Sequence, residues 1–182
     1  MNSVTEKEKK LSLALTKLKK LNVKFFEEPV KTSNLFSLQK VIKGSKVPIS
    51  FGEYEITSQR FEEIITLTDL QILQPDILNV GGLSEMKKVY DLGLKRNKVV
   101  IPHSPDIGIL CFASLHLFNA YYNKNQFHEF SDELCEKNIM AAQEFYNENI
   151  IPNNGNFKLN SNPGLGLTIV NKNIKNREIK ID

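Results

Sequence analysis

No apolar run in this sequence suggests a membrane span, and the first hydrophobic stretch, from Leu11 to Thr16, is cut by Lys17 before it could serve as a signal-peptide core. Cysteine is scarce. Cys111 and Cys135 are the two present and no CxxC joins them, so they read as reduced, buried thiols of a cytoplasmic protein rather than as metal ligands or a disulfide. Charge of one sign is hardly in excess: the net +3 comes from lysines spread along the chain, which argues against a nucleic-acid partner. The GxGxxG spacing is missing, so Gly81-Gly82 reads as a tight strand-to-helix turn and not as a nucleotide cradle. No linker or low-complexity tract divides the 182 residues, and 41% hydrophobic with 25% charged residues is an ordinary soluble composition, so 1–182 is expected to form a single domain.

What is present is a repeat. Leu70-Gln71-Ile72-Leu73-Gln74-Pro75-Asp76 is short, apolar and strand-like, and it gives way to Gly81-Gly82 and a helical pattern from Leu83 to Arg96. Lys98-Val99-Val100-Ile101-Pro102-His103 repeats the plan. The same stride finds Glu27 after Val23-Lys24-Phe25-Phe26, Glu53 after Ile49-Ser50-Phe51-Gly52, and Glu129 after Phe127-His128. The five titratable residues are spaced by 26, 23, 27 and 26, about one strand plus one returning helix. That spacing implies an α/β fold of parallel strands, at Val23–Glu27, Pro48–Gly52, Ile72–Pro75, Val99–Pro102 and Phe127. In a βα barrel, the C-terminal strand ends converge on one rim.

Helix signals fill the gaps. Leu11, Ala14, Leu15, Leu18 and Leu21 make one face of an N-terminal helix, with Ser3 and Glu6 at capping-box spacing. This basic helix already has a place in a βα array, so no membrane partner is expected. Thr32 or Ser33 is the expected cap of a helix carrying Leu35, Phe36, Leu38, Val41 and Ile42 and ending at Gly44. Thr57 or Ser58 starts another with Phe61, Ile64 and Ile65 inward. Ile107 to Tyr122 reads as a largely buried helix and Asp132 to Asn149 as helical. Ile150 to Asp182 reads as turns and short strands, so 1–130 hold the βα repeats and 131–182 an extension.

Seven motifs in order carry a family resemblance: Phe25-Phe26-Glu27-Glu28-Pro29-Val30, Gly52-Glu53, Gln74-Pro75-Asp76 with Gly81-Gly82, Pro102-His103-Ser104, Ala113-Ser114-Leu115-His116, His128-Glu129-Phe130 and Pro163-Gly164-Leu165-Gly166-Leu167. Together they resemble the C-terminal barrel domain of the mandelate racemase/muconate lactonizing enzyme family of the enolase superfamily, from about Val4 to Leu167. The Glu53 ending and the Asp76 with His103 pairing look like the mandelate racemase branch; the muconate branch would have a lysine near Asn79.

The resemblance implies a TIM-type (β/α) barrel, here about its last five βα units, and a magnesium cofactor held by Glu27 and Glu53. Glu27 is preferred over Glu28 because strand alternation groups Glu27 with Phe25 and Val23, and Glu28 with Phe26 and Lys24. His103 would be the general base, Asp76 would orient its imidazole, and Glu129 would hydrogen-bond the substrate carboxylate. The implied reaction is removal of the α-proton of a sugar acid followed by loss of water, with a racemase or epimerase, or a non-catalytic remnant, as alternatives. Members of the family add a capping domain and three earlier strands with a first ligand aspartate. Here no aspartate precedes Asp69, so the chain is expected to be a C-terminal part, completed by a separately encoded N-terminal piece or by self-association.

Overall fold

The structure, a computed structural model, describes residues 6–31, 33–121, 126–131 and 136–170. Its elements run α1 Glu6–Lys20, β1 Phe26–Glu27, α2 Leu35–Gly44, β2 Ile49–Phe51, α3 Ser58–Thr68, β3 Ile72–Leu73, α4 Leu83–Arg96, β4 Val99–Val100, α5 Ile109–Tyr121 and α6 Glu136–Gln143. The described residues fall into two compact units. One holds the chain through His103 with Gln126 and Phe127; the other holds Ser104 to Tyr121 and the residues from His128 on. Among the described residues no helix is long and apolar enough to cross a membrane.

In the first unit the strands form one parallel sheet in the order β1-β2-β3-β4, the right pattern for successive βα crossovers. Glu27 pairs with Ser50, Ser50 with Ile72 and Ile72 with Val99, so these four side chains share a face. The opposite face carries Ile49, Phe51, Leu73 and Val100, all buried. There the helices pack closely: a Cβ on Gly93 of α4 would meet Val100 Cγ2 at 2.7 Å, so only glycine lets α4 approach β4 this far.

The helices follow from their apolar stripes. α4 occupies the expected residues, with Met86, Val89, Tyr90 and Leu92 buried. α3 buries Phe61, Ile64 and Ile65 as expected, and Thr57 caps it by accepting from Arg60 N at 3.2 Å. In α2 the cap is Asn34, whose side chain accepts from Ser37 N at 3.0 Å, rather than Ser33; Thr32 lies outside the described residues. The helix thus begins one position later, and Phe36 turns outward beneath Lys40, whose Nζ lies 4.5 Å from its ring centroid. In α1, Leu15 is buried while Ala14 and Leu21 are exposed, Leu21 lying past the helix end; Ser3 lies outside the described residues.

Two departures lie further along. At Phe127 no strand forms among the described residues: the residue is 66% exposed and has no ladder partner there, so among the described residues the last strand of the repeat is β4. The second unit has its own core, in which Cys111, Phe112, Leu115 and Ile150 are buried and Phe130, Tyr146, Phe157 and Leu165 pack against them. Its α5 starts at Ile109 rather than Ile107, because Gly108 takes φ +74 with the Tyr146 ring against it. α6 ends well before Asn149, because Gln143 turns back on the chain, donating to Tyr146 O and Glu148 O and accepting from Ile150 N. Cys111 is a free, buried thiol pushed up to about 11 by burial; Cys135 lies outside the described residues.

Gly52 ends β2 with φ +131, and a Cβ there would stand 2.4 Å from Phe61 Cε1. Gly52→Ala should therefore destabilise the chain by roughly 3 kcal/mol in urea denaturation, from strained backbone and a steric clash together. Phe61→Leu in that background should recover part of the loss.

Candidate active site

The ladder between β3 and β4 continues past both strands. Ile101 N donates to Leu73 O at 3.0 Å and His103 N to Pro75 O at 3.2 Å, which makes Asp76 and His103 partners in an isolated parallel bridge. Equivalent places on adjacent parallel strands face the same way, so the two side chains meet, and His103 Nδ1 lies 3.0 Å from Asp76 Oδ2. Asp76 is 5% exposed, and its other oxygen, Oδ1, accepts from Leu78 N at 2.8 Å and Asn79 N at 2.9 Å. Burial alone would raise this carboxyl. The His103 bond, the two N–H donors and the imidazole's charge outweigh it and hold Asp76 below the usual carboxylate range.

On its other side His103 meets Glu53, with Nε2 3.2 Å from Oε2. A carboxylate oxygen therefore lies near each ring nitrogen, Asp76 Oδ2 at Nδ1 and Glu53 Oε2 at Nε2. Glu53 follows Gly52 in a turn closed by Glu55 N to Gly52 O at 3.1 Å, and the exposed Tyr54 phenol, raised by its bond to Glu53 and by that residue's charge, adds another contact.

Glu27 stands elsewhere in the array. It is in register with Ser50 and Ile72, four residues short of Asp76, and its Oε1 accepts from Gln74 Nε2 at 3.1 Å. Gln74 is 3% exposed and sits two places before Asp76, hence on the same face. The neighbouring Glu28 does not follow the alternation. Its φ of +44 turns the chain, and its Oε1 accepts from Gly52 N at 3.0 Å, so this carboxylate ties the end of β1 to the end of β2. Burial raises Glu28, the Gly52 bond works against that, and the charges of Glu53, Glu27 and Glu55 raise it further.

Glu129 belongs to the second unit. Its Oε2 accepts from Ser104 N at 2.7 Å. The preceding His128 is anchored on both ring nitrogens: Nδ1 lies 2.6 Å from Glu129 O and Nε2 2.9 Å from Ser114 Oγ, with Phe118 packed edge-on at 5.4 Å. A tautomer with the proton on Nδ1 satisfies both, and burial lowers His128 to about 4 despite the bond to Glu129 O. His116 likewise has a structural partner, Leu165 O at 3.0 Å from Nε2.

A hard divalent cation suits oxygen donors in an electronegative setting. The crowding of Glu27, Glu28, Glu53 and Glu55, felt in the raised Glu28, supplies that setting. On the same sheet face the buried Ser50 Oγ and Gln74 Oε1 have no hydrogen-bond partner among the described residues. Glu27 and Glu53 thus fit magnesium in kind. They do not complete its shell, since among the described residues no three His, Cys, Asp or Glu side chains are grouped to hold a metal.

A parallel βα array with titratable residues at its strand ends defines a domain of the βα-barrel type. Residues 2–173 match the family described as enolase C-terminal domain-like, and the chain belongs to that family. The arabinonate dehydratase of Saccharolobus solfataricus is 31% identical over 154 residues, 84% of this chain and 39% of that protein. Two solved structures share the fold. A mandelate racemase/muconate lactonizing protein from Paracoccus denitrificans, complexed with magnesium, superposes with a TM-score of 0.86 at 23% identity over 96% of this chain and 46% of that one. The 3,6-anhydro-D-galactonate cycloisomerase from Zobellia galactanivorans gives 0.80 at 26% identity over 95% of this chain and 48% of that one. The chain therefore spans less than half the length of these relatives.

His128 gives a signed pH prediction. Its folded value of about 4 lies below that of the unfolded chain, about 6.5, so the unfolded state binds the extra proton between them. Stability is full above pH 6.5 and falls as pH drops toward 4, by roughly 3 kcal/mol. Chemical denaturation at several pH values should show this slope in the wild-type chain and its loss in His128→Gln.

Proposed function

We propose that this chain carries the proton-transfer machinery of an acid-sugar dehydratase. The observation that supports it best is the Asp76–His103 pair, fixed by strand register and holding a buried, ionised carboxylate against Nδ1. His103 Nε2 takes the α-proton of a sugar acid, the C–H pair forms the Cα–Cβ double bond, and the β-hydroxyl leaves as water with the proton His103 returns. The resulting enol becomes a 2-keto-3-deoxy acid. Asp76 keeps the ring in one orientation and balances its charge. Glu129 is assigned the hydrogen bond to the substrate carboxylate; within its own unit its Oε2 is already held by Ser104. Glu27 and Glu53 would hold magnesium, which when bound would stabilise the negative charge that develops on the substrate carboxylate.

Elimination is favoured over racemisation for a chemical reason. A racemase needs a second base on the opposite face of the planar intermediate, and the side chains at the ends of β1 to β4, Glu27, Glu28, Glu53, Asp76 and His103, include one imidazole and no lysine. The sugar-acid substrate class rests on the arabinonate dehydratase likeness over 84% of the chain.

Two experiments test these points. Assayed in deuterated water against a panel of sugar acids, a protein in which this chain is joined to the remaining part of a full-length relative should form 2-keto-3-deoxy acids, and His103→Asn should abolish this. Inversion with α-deuterium exchange and no keto product would overturn the dehydratase reading. Calorimetric titration of this chain alone should show weak magnesium binding, because two carboxylates leave the ion mostly hydrated; tight one-to-one binding would show that the set is complete as it stands.

A further inference from the structure

We infer that Asn79 is a positioning residue for His103, setting the place of the carboxylate at Nε2. The inference rests on the reading of His103 as the proton-transfer group. Four contacts close a ring around the imidazole: His103 Nδ1 to Asp76 Oδ2 at 3.0 Å, Asp76 Oδ1 to Asn79 N at 2.9 Å, Asn79 Nδ2 to Glu53 O at 2.9 Å, and Glu53 Oε2 to His103 Nε2 at 3.2 Å. Asn79 is thus the one member of the ring that bonds to both carboxylate residues without touching the imidazole. It does so with two different groups. Its backbone N–H serves Asp76, and its side-chain amide serves the backbone of Glu53.

The division matters because the ladder does not reach Glu53, whose other ties are the Glu55 N to Gly52 O bond that closes its turn and the contact with Tyr54. Glu53 stands in the turn after Gly52, whose φ of +131 turns the chain sharply out of β2, and nothing in strand register says where its carboxylate should point. A side-chain amide reaching from the β3 end to the Glu53 carbonyl fixes the second residue of that turn, and through it the direction of the Glu53 side chain. Asp76 needs no such help, since the ladder holds its strand and two N–H groups hold its Oδ1. Replacing the Asn79 side chain should therefore disturb only one side of the imidazole.

The test uses this chain as it is and does not depend on turnover. In nitrogen-15 spectra of the His103 ring at one pH, Asn79→Leu and the isosteric Asn79→Asp should both move the Nε2 resonance and leave Nδ1 in place, while Asn79→Gln, which keeps the donor, should restore the wild-type Nε2 position. Asp76→Asn should move Nδ1. Asn79 is exposed, so the thermal midpoint should change by no more than about 2–4 °C. A lower midpoint with Nε2 unmoved would make Asn79 a structural tie and overturn the inference. Equal movement of both nitrogens in all three Asn79 variants would also overturn it, by placing the effect on Asp76. Failure of the dehydratase assay with these ring shifts intact would count against the function and not against Asn79.

Discussion

The parallel register between residues 71–75 and 99–103 is the constraint on which the site depends. Val99 N bonds to Gln71 O, Ile101 N to Leu73 O and His103 N to Pro75 O, every second residue, as a parallel ladder requires. A slip of one residue would turn His103 toward the helix-facing side and leave Asp76, buried at 5% exposure, with a charge and no imidazole. The register is in turn held by what lies beneath it, where Leu73 and Val100 are packed against helices close enough that Gly93 admits no side chain. Packing on one face thus sets the Asp76–His103 pairing on the other.

Much of the fold was legible because the repeat is written twice, once in apolar periodicity and once in the punctuating residues. α4 spans Leu83–Arg96 as its pattern implied, and Phe61, Ile64 and Ile65 point inward in α3. What periodicity does not encode is where a neighbour begins. Val23 to Phe25 are as strand-like as Phe26, yet β1 pairs only from Phe26, where β2 starts to run beside it at Ile49. The Asn34 cap shows a second limit: several consecutive polar residues could each have begun α2, and the choice was made by which side chain reaches an N–H three residues on.

The candidate site divides the same way. Asp76 and His103 were legible because residues at equal height on adjacent strands must meet, whereas Glu27 and Glu28 were separated by an alternation that stops at Glu28, where φ becomes positive. That carboxylate, set aside on the basis of its strand face, is the one that bonds to Gly52. Gln74 and Asn79 look like ordinary strand and turn residues in text. Their partners, Glu27 and Glu53, lie 47 and 26 residues away in sequence, and only the assembled sheet brings them together.

Glu85 of α4 has a partner that bears on the turn holding Glu53. Its Oε2 accepts from both Ser58 N at 3.2 Å and Ser58 Oγ at 2.7 Å, while Oε1 pairs with Lys88, so the first turn of α3 is clamped by the next helix. The segment between Gly52 and Ser58 is consequently held at three places, by Glu28 where it leaves the strand, by Asn79 at Glu53 and by Glu85 where it enters the helix. A surface loop fastened this way has few conformations to explore. Its amides should exchange slowly with solvent and its bonds resist proteases, an unusual rigidity for a loop at strand ends.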